Sequence, residues 1–144
     1  MKAQEDNQTV AQREQLRNLA EGYFAALRQK EFAAIPYTDD VTLRTPLAPG
    51  GVNHLLSGKQ ALYEQWWLPL VPALDGVEIT VLEHYFNESL TAICTEANIT
   101  INVVSPPATL RVADRFTVNA EGKITAQENH FDPRDVTNPG WQNS

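Results

Sequence analysis

Two hydrophobic periods divide the chain, helical in its first half and alternating in its second. Thr9 followed by Gln12 is a capping box, and Leu16, Leu19, Ala20, Tyr23, Phe24 and Leu27 then recur at three-and-four spacing. That spacing predicts an amphipathic helix of about five turns. Glu31 to Ile35 adds a short helical piece ended by Pro36, and Val41 to Thr45 reads as a short strand before the Pro/Gly loop Pro46 to Gly51. Ser57 with Gln60 forms a second capping box. It opens a helix through Leu62, Tyr63, Trp66 and Trp67 that Pro69 and Pro72 are expected to terminate.

From Val77 onward the apolar residues alternate. Val77 to Phe86, Leu90 to Val104, Leu110 to Val118 and Lys123 to Phe131 are four strand candidates, separated by Asn87-Glu88-Ser89, Pro106-Pro107 and Asn119-Ala120-Glu121-Gly122. Helices first and a meander of long strands afterwards predict an α+β fold, a curved sheet wrapped over N-terminal helices. On the second of these strands Ile93, Thr95, Ala97, Ile99 and Ile101 share one face, and Glu96, Asn98, Thr100 and Asn102 share the other. The first face meets the helices; the second meets water or a polar partner. A twisted sheet folded over helices leaves a hollow wherever the helices do not fill it.

Length adds one constraint: 144 residues make one domain, with residues 1–9 expected as a flexible start and 133–144 as an irregular tail that packs Trp141. Charge adds another. Eleven basic against 18 acidic residues leave a net charge of −7, so nucleic acid and anionic membrane are poor partners. A single cysteine, Cys94, rules out an internal disulfide framework and reads as a small strand residue. No apolar run spans a membrane and the start carries no export signal, so a cytoplasmic protein is expected.

Polar residues in an apolar phase are the places to look for chemistry, because each costs free energy unless it is paired. Asp114 is the sharpest: it interrupts the stripe Leu110, Val112, Phe116, Val118. Desolvation there favours a protonated carboxyl that donates a hydrogen bond. Tyr23, between Leu19 and Leu27 on the first helix, needs a partner for its hydroxyl. On the last strand Thr125, Gln127, Asn129 and Phe131 oppose Ile124, Ala126, Glu128 and His130, and the apolar count does not choose the inward side. Glu83 shares the phase of Val77, Ile79 and Val81, while His84 falls in the more polar phase. Asp39-Asp40 reads as a solvated turn pair. With no histidine near it at ligand spacing, no metal site is expected.

Three strings, in this order, resemble the nuclear transport factor 2-like superfamily, which includes SnoaL-like cyclases, limonene-epoxide hydrolase and ketosteroid isomerase. Tyr23-Phe24-Ala25-Ala26-Leu27 is similar to the isomerase's "YxAAL", Thr38-Asp39-Asp40-Val41-Thr42 to its "ADDAT", and Asp114-Arg115-Phe116 through Gly122-Lys123-Ile124 to its "DHFRFN…GKV". With Ser57-Gly58, the resemblance runs from about Gln12 to Asp132. It implies a cone-shaped α+β roll, a homodimer and a pocket that needs no cofactor.

Carried over residue by residue, the resemblance places Tyr23 at the isomerase's oxyanion-hole tyrosine and Asp114 at its protonated aspartic acid. The general-base position is Thr45, whose hydroxyl cannot take a proton at neutral pH. The hydrolase's Arg-x-Asp pair falls on Ala97 and Ile99 and its second aspartate on Asn129, so no carboxylate is left there to activate water. The same alignment turns Ile93, Thr95, Ala97, Ile99, Gln127, Asn129 and Phe131 inward. The expectation is a hydrophobic carbonyl or phenolic ligand held by Tyr23 and Asp114 between walls that include Trp66, Phe116 and Phe131, with Glu83 or His84 to move a proton if chemistry occurs. A non-catalytic binding or assembly module of the same fold is the alternative. A third possibility is a filled core in which Asp114 pairs with Arg44. The polar face Glu96, Asn98, Thr100, Asn102 is the expected dimer surface.

Overall fold

The computed structural model describes residues 7–134. Helix α1 (Asn7–Gln29) buries Leu16, Ala20, Tyr23, Phe24, Ala26 and Leu27, the stripe that the spacing defined except that Ala26 joins it and Leu19 is only half-buried. Residues 7–9, expected as flexible, are helical. The tail residue Trp141 lies outside the described residues.

A six-stranded sheet follows in the order β2-β1-β6-β5-β4-β3. Its strands are β1 (Tyr37–Arg44), β2 (Leu56–Ser57), β3 (Glu78–Phe86), β4 (Ala92–Ile101), β5 (Ala108–Val118) and β6 (Ile124–His130). All pairs are antiparallel except β1 with β6, which run parallel. The sheet is mixed and open, with α1 against the inner face of β3 and β4. Strand β1 is longer than alternation suggested. Asp39 and Asp40 are strand residues, not a turn: they sit where the β1–β6 register shifts between Tyr37 and Thr42, with both side chains in water.

Two bulges re-aim side chains, as an extra residue in one strand does. The β3–β4 register passes from Val81↔Ala97 to Glu83↔Glu96. Leu82 is therefore the extra residue and the face flips there: Ile79 and Val81 point inward before it, His84 and Phe86 after it. The β5–β6 register passes from Thr117↔Ala126 to Val118↔Ile124. Thr125 is extra, which is why both Ile124 and Gln127 are buried although they lie in opposite phases of the sequence. Gly122, with φ at 78°, and the Asn119 side chain that accepts the Glu121 and Lys123 amides make the tight connection.

Between β2 and β3 the chain stays helical over residues 59–74: α2 (Lys59–Leu62), a π turn (Tyr63–Trp67), α3 (Leu68–Leu70) and a 3-10 turn (Val71–Leu74). The prolines do not stop it as expected. Pro69 and Pro72 each stand in the first turn of a new segment, where a missing amide costs nothing, and the π turn resets the pitch ahead of them. This run forms a wall facing the sheet.

Candidate functional site

The wall and the sheet do not meet. Past the end of α1, a cavity of about 310 Å³ opens between segment 66–74 and the outer ends of β4 and β5, at the lower end of the volume expected for a small-molecule site. Leu27, Leu70, Leu74, Ile99, Ile101 and Leu110 are among the residues of its apolar wall. Polar groups gather at one end only: Tyr23, Thr45, Asp114 and Asn129. Among the described residues lining the cavity, Tyr23 and Asp114 are the two that titrate.

Asp114 sits in mid-β5 with Thr95 of β4 on one side and Asn129 of β6 on the other. It is 2% exposed, and its Oδ1 is buried without any hydrogen-bond partner. Desolvation alone pushes its pKa well above the usual carboxylate range, so the neutral acid is favoured. Arg44 does not neutralise it. That guanidinium bonds the Val52 carbonyl at 3.0 Å and lies 4.0 Å from Glu128 on the outer face.

Tyr23 is wedged among aromatics, stacked on Trp66 at 6.5 Å and tilted against Phe116 at 4.8 Å. Its hydroxyl accepts a 3.3 Å hydrogen bond from Gln127 Nε2. Burial first, then the Asp114 charge, raises its pKa well above the ordinary tyrosine value. Behind it, Gln127 Nε2 also donates to Asn129 Oδ1 at 3.0 Å, and the buried Tyr37 hydroxyl donates to Gln127 Oε1 at 2.6 Å. A neutral acid and a phenol thus share the polar end of an apolar hollow, backed by an amide network. Such an end can hold one ligand oxygen by two hydrogen bonds.

The family model of the SnoaL-like domain matches residues 20–127. The chain belongs to the SnoaL-like family. Solved structures share the fold. The epoxide hydrolase/cyclase-like enzyme SalBIII, of pyran ring formation in polyether salinomycin, is 19% identical with a TM-score of 0.70, covering 85% of this chain and 95% of that one. A Catenulispora acidiphila protein with a ketosteroid isomerase-like fold, in complex with trimethylamine, is 17% identical with a TM-score of 0.66 over 82% of this chain and 88% of that one. An LEH-like epoxide hydrolase of M. tuberculosis is 20% identical with a TM-score of 0.63 over 88% of each. At such identities the likeness carries the fold alone. No curated protein matches in sequence.

In this SnoaL-like domain the residues singled out from the sequence divide into two groups. Tyr23, Thr45, Trp66, Ile99, Asp114, Asn129 and Phe131 line the cavity. Ile93, Thr95, Ala97, Phe116 and Gln127 do not: they are buried on the same inner face, but beneath α1, where helix and aromatic side chains fill the space. Glu83 and His84 are also absent from the wall. The Leu82 bulge turns Glu83 out to water. It turns His84 inward, where Nδ1 meets Thr95 Oγ1 at 2.8 Å and Nε2 meets Glu21 at 3.1 Å, so both ring nitrogens are engaged.

What the sequence reading missed is the far wall: Leu27, Pro69, Leu70, Ala73, Leu74 and the pair Val103–Val104. Leu70 and Leu74 are four apart, a helical signal hidden by the assumption that the prolines end the helix. Tyr37 also escaped notice, because it stands at a strand start with no apolar phase around it. Among the described residues no three His, Cys, Asp or Glu side chains gather as a metal site would require, and no helix is long and apolar enough to cross a membrane.

Proposed function

We propose that this SnoaL-like domain takes a hydrophobic carbonyl or phenolic molecule into the cavity and holds its oxygen between the Tyr23 hydroxyl and the protonated Asp114 carboxyl. The observation that carries this reading is the Asp114 oxygen, buried beside the hollow with nothing bonded to it. A group in that position costs free energy in the empty protein, and a ligand acceptor offsets it. The apolar remainder of the wall supports a hydrophobic body attached to that oxygen.

With an enone or β-hydroxy carbonyl bound, the two donors stabilise negative charge that builds on oxygen as a neighbouring carbon loses its proton. The domain is then a cofactor-free isomerase, cyclase or dehydratase, in keeping with the cyclase-like and hydrolase neighbours. One observation favours a second reading, a non-catalytic binding module. Thr45 occupies the expected base position and the lining adds no third titratable side chain.

The test is binding followed by turnover. Tyr23→Phe and Asp114→Asn are expected each to weaken a phenolate ligand severely, and unchanged affinity in both variants defeats the assignment. Product from a panel of enones and β-hydroxy carbonyls selects the enzyme; tight binding without product selects the module. The same proposal includes a homodimer formed through the outer face of β4 around Glu96, Asn98 and Thr100. Light scattering should give twice the 16.1 kDa chain mass, and the single mass at micromolar concentration removes the dimer.

A further inference from the structure

Resting on that reading, we infer that Gln127, which stands behind the cavity wall, sets the direction of the hydrogen bonds at the polar end. It thereby restricts the site to an oxygen that only accepts: a ketone, an ester carbonyl, an ether or a phenolate. An amine that must donate is refused.

The distances fix the amide. The 2.6 Å contact from the Tyr37 hydroxyl to Gln127 is an O–H···O length, while the 3.0 Å and 3.3 Å contacts to Asn129 and Tyr23 have N–H···O lengths. So Oε1 faces Tyr37, and Nε2 faces Tyr23 and Asn129. Two consequences follow at the cavity. Asn129 Oδ1 is occupied by an N–H, so Asn129 turns its Nδ2 hydrogens toward Tyr23 and the cavity. The Tyr23 oxygen accepts from Gln127 and is approached by the Asn129 side chain as well, so its proton is the valence that remains for a ligand. Tyr23 and Asn129 become donors, beside a neutral acid that also donates.

Rotating the Gln127 amide by half a turn reverses all of this. Oε1 would take the Tyr23 proton, Tyr23 would show a lone pair, and Asn129 would turn its oxygen out. Tyr37 prevents it. Its hydroxyl is buried, Gln127 is the acceptor it bonds, and rotation would leave that proton unpaired at the cost of a buried donor. Gln127 is therefore a positioning residue that acts through Tyr23 and Asn129, and Tyr37 is the post that holds it.

The experiment uses the full chain with acetylnaphthalene carrying carbon-13 at its carbonyl, followed by affinity and by the infrared carbonyl stretch of the bound ketone. Tyr23→Phe should lower affinity about three- to tenfold and shift the stretch toward its free value. Gln127→Leu should do the same, and in the Tyr23→Phe background it should cost clearly less than it does alone, because only its effect through Asn129 remains. Tyr37→Phe, which frees the amide to rotate, should give part of the loss and keeps the test open if Gln127→Leu does not fold. Independent, additive losses from Tyr23 and Gln127, or a normal stretch in both Gln127→Leu and Tyr37→Phe, overturn the polarity role while leaving the ligand assignment standing. A wild-type protein that ignores the ketone, or a Tyr23→Phe variant that binds it unchanged, overturns the reading beneath it.

Discussion

The two ends of β4 carry the same alternation and face the same way, yet one is packed solid and the other borders a void. Ile93, Thr95 and Ala97 lie under α1 with Phe116 and Tyr23. Ile99 and Ile101, the next two inward residues along the same strand, line the cavity. The difference lies in what covers them. α1 ends at Gln29, and the helical run 59–74 arrives as a wall rather than a plug. The polar pair in the middle shows the contrast in two side chains directly opposite one another. The Thr95 hydroxyl is hydrogen-bonded to His84 Nδ1, whereas Asp114 has an oxygen with no partner. A buried polar group completed by the protein is structure; one left incomplete beside a hollow is available to a ligand.

Substitutions that act on one end and not the other test that contrast. The largest effect is expected from Phe116→Ala, which removes a ring from the packed end and should cost about 3–5 kcal/mol in denaturant unfolding. Next comes a pair of additions. Ala97→Phe has no space to enter and should cost at least about 1–3 kcal/mol, while Ala73→Phe points at the void, should leave the melting temperature nearly unchanged and should abolish ketone binding. Equal destabilisation by both would mean that the two ends are packed alike.

The third prediction concerns pH. Asp114 binds its proton more tightly folded than unfolded, so its contribution is fully present below the ordinary aspartate pKa and is lost as pH rises through the raised folded value. Wild-type stability should fall with pH relative to Asp114→Asn over that window, by up to about 1.4 kcal/mol per pH unit. Parallel curves would place an ordinary carboxyl there. The smallest effect is expected from Glu83→Gln, in water beyond the Leu82 bulge, which should stay within about 0.5 kcal/mol and leave binding intact.

The fold was legible because burial imposes period. The α1 stripe and the faces of β4 and β5 follow from spacing alone, and Asp114 stood out because it breaks one of those stripes. Periodicity could not show the bulges at Leu82 and Thr125, since an extra residue is stabilised by cross-strand pairing and leaves no local composition signal. That is why alternation puts Glu83 inward and His84 outward, the reverse of where the sheet holds them, and gives Gln127 and Asn129 no side. Nor could it separate the filled end of the inner face from the open one. Ala97 and Ile99 have the same sequence signature, and only the place where α1 stops and 59–74 begins distinguishes them. The prolines misled for a related reason: their position within a helical segment decides whether they end it.

The most direct test of the central claim is the titration of Asp114 itself. Aspartate labelled with carbon-13 at its side-chain carboxyl, assigned through Asp114→Asn and followed by NMR from about pH 4 to about pH 9, should show one resonance that keeps the neutral-acid shift well past the ordinary range and moves when the ketone is added. A resonance that titrates near the ordinary aspartate value and ignores the ketone contradicts the account.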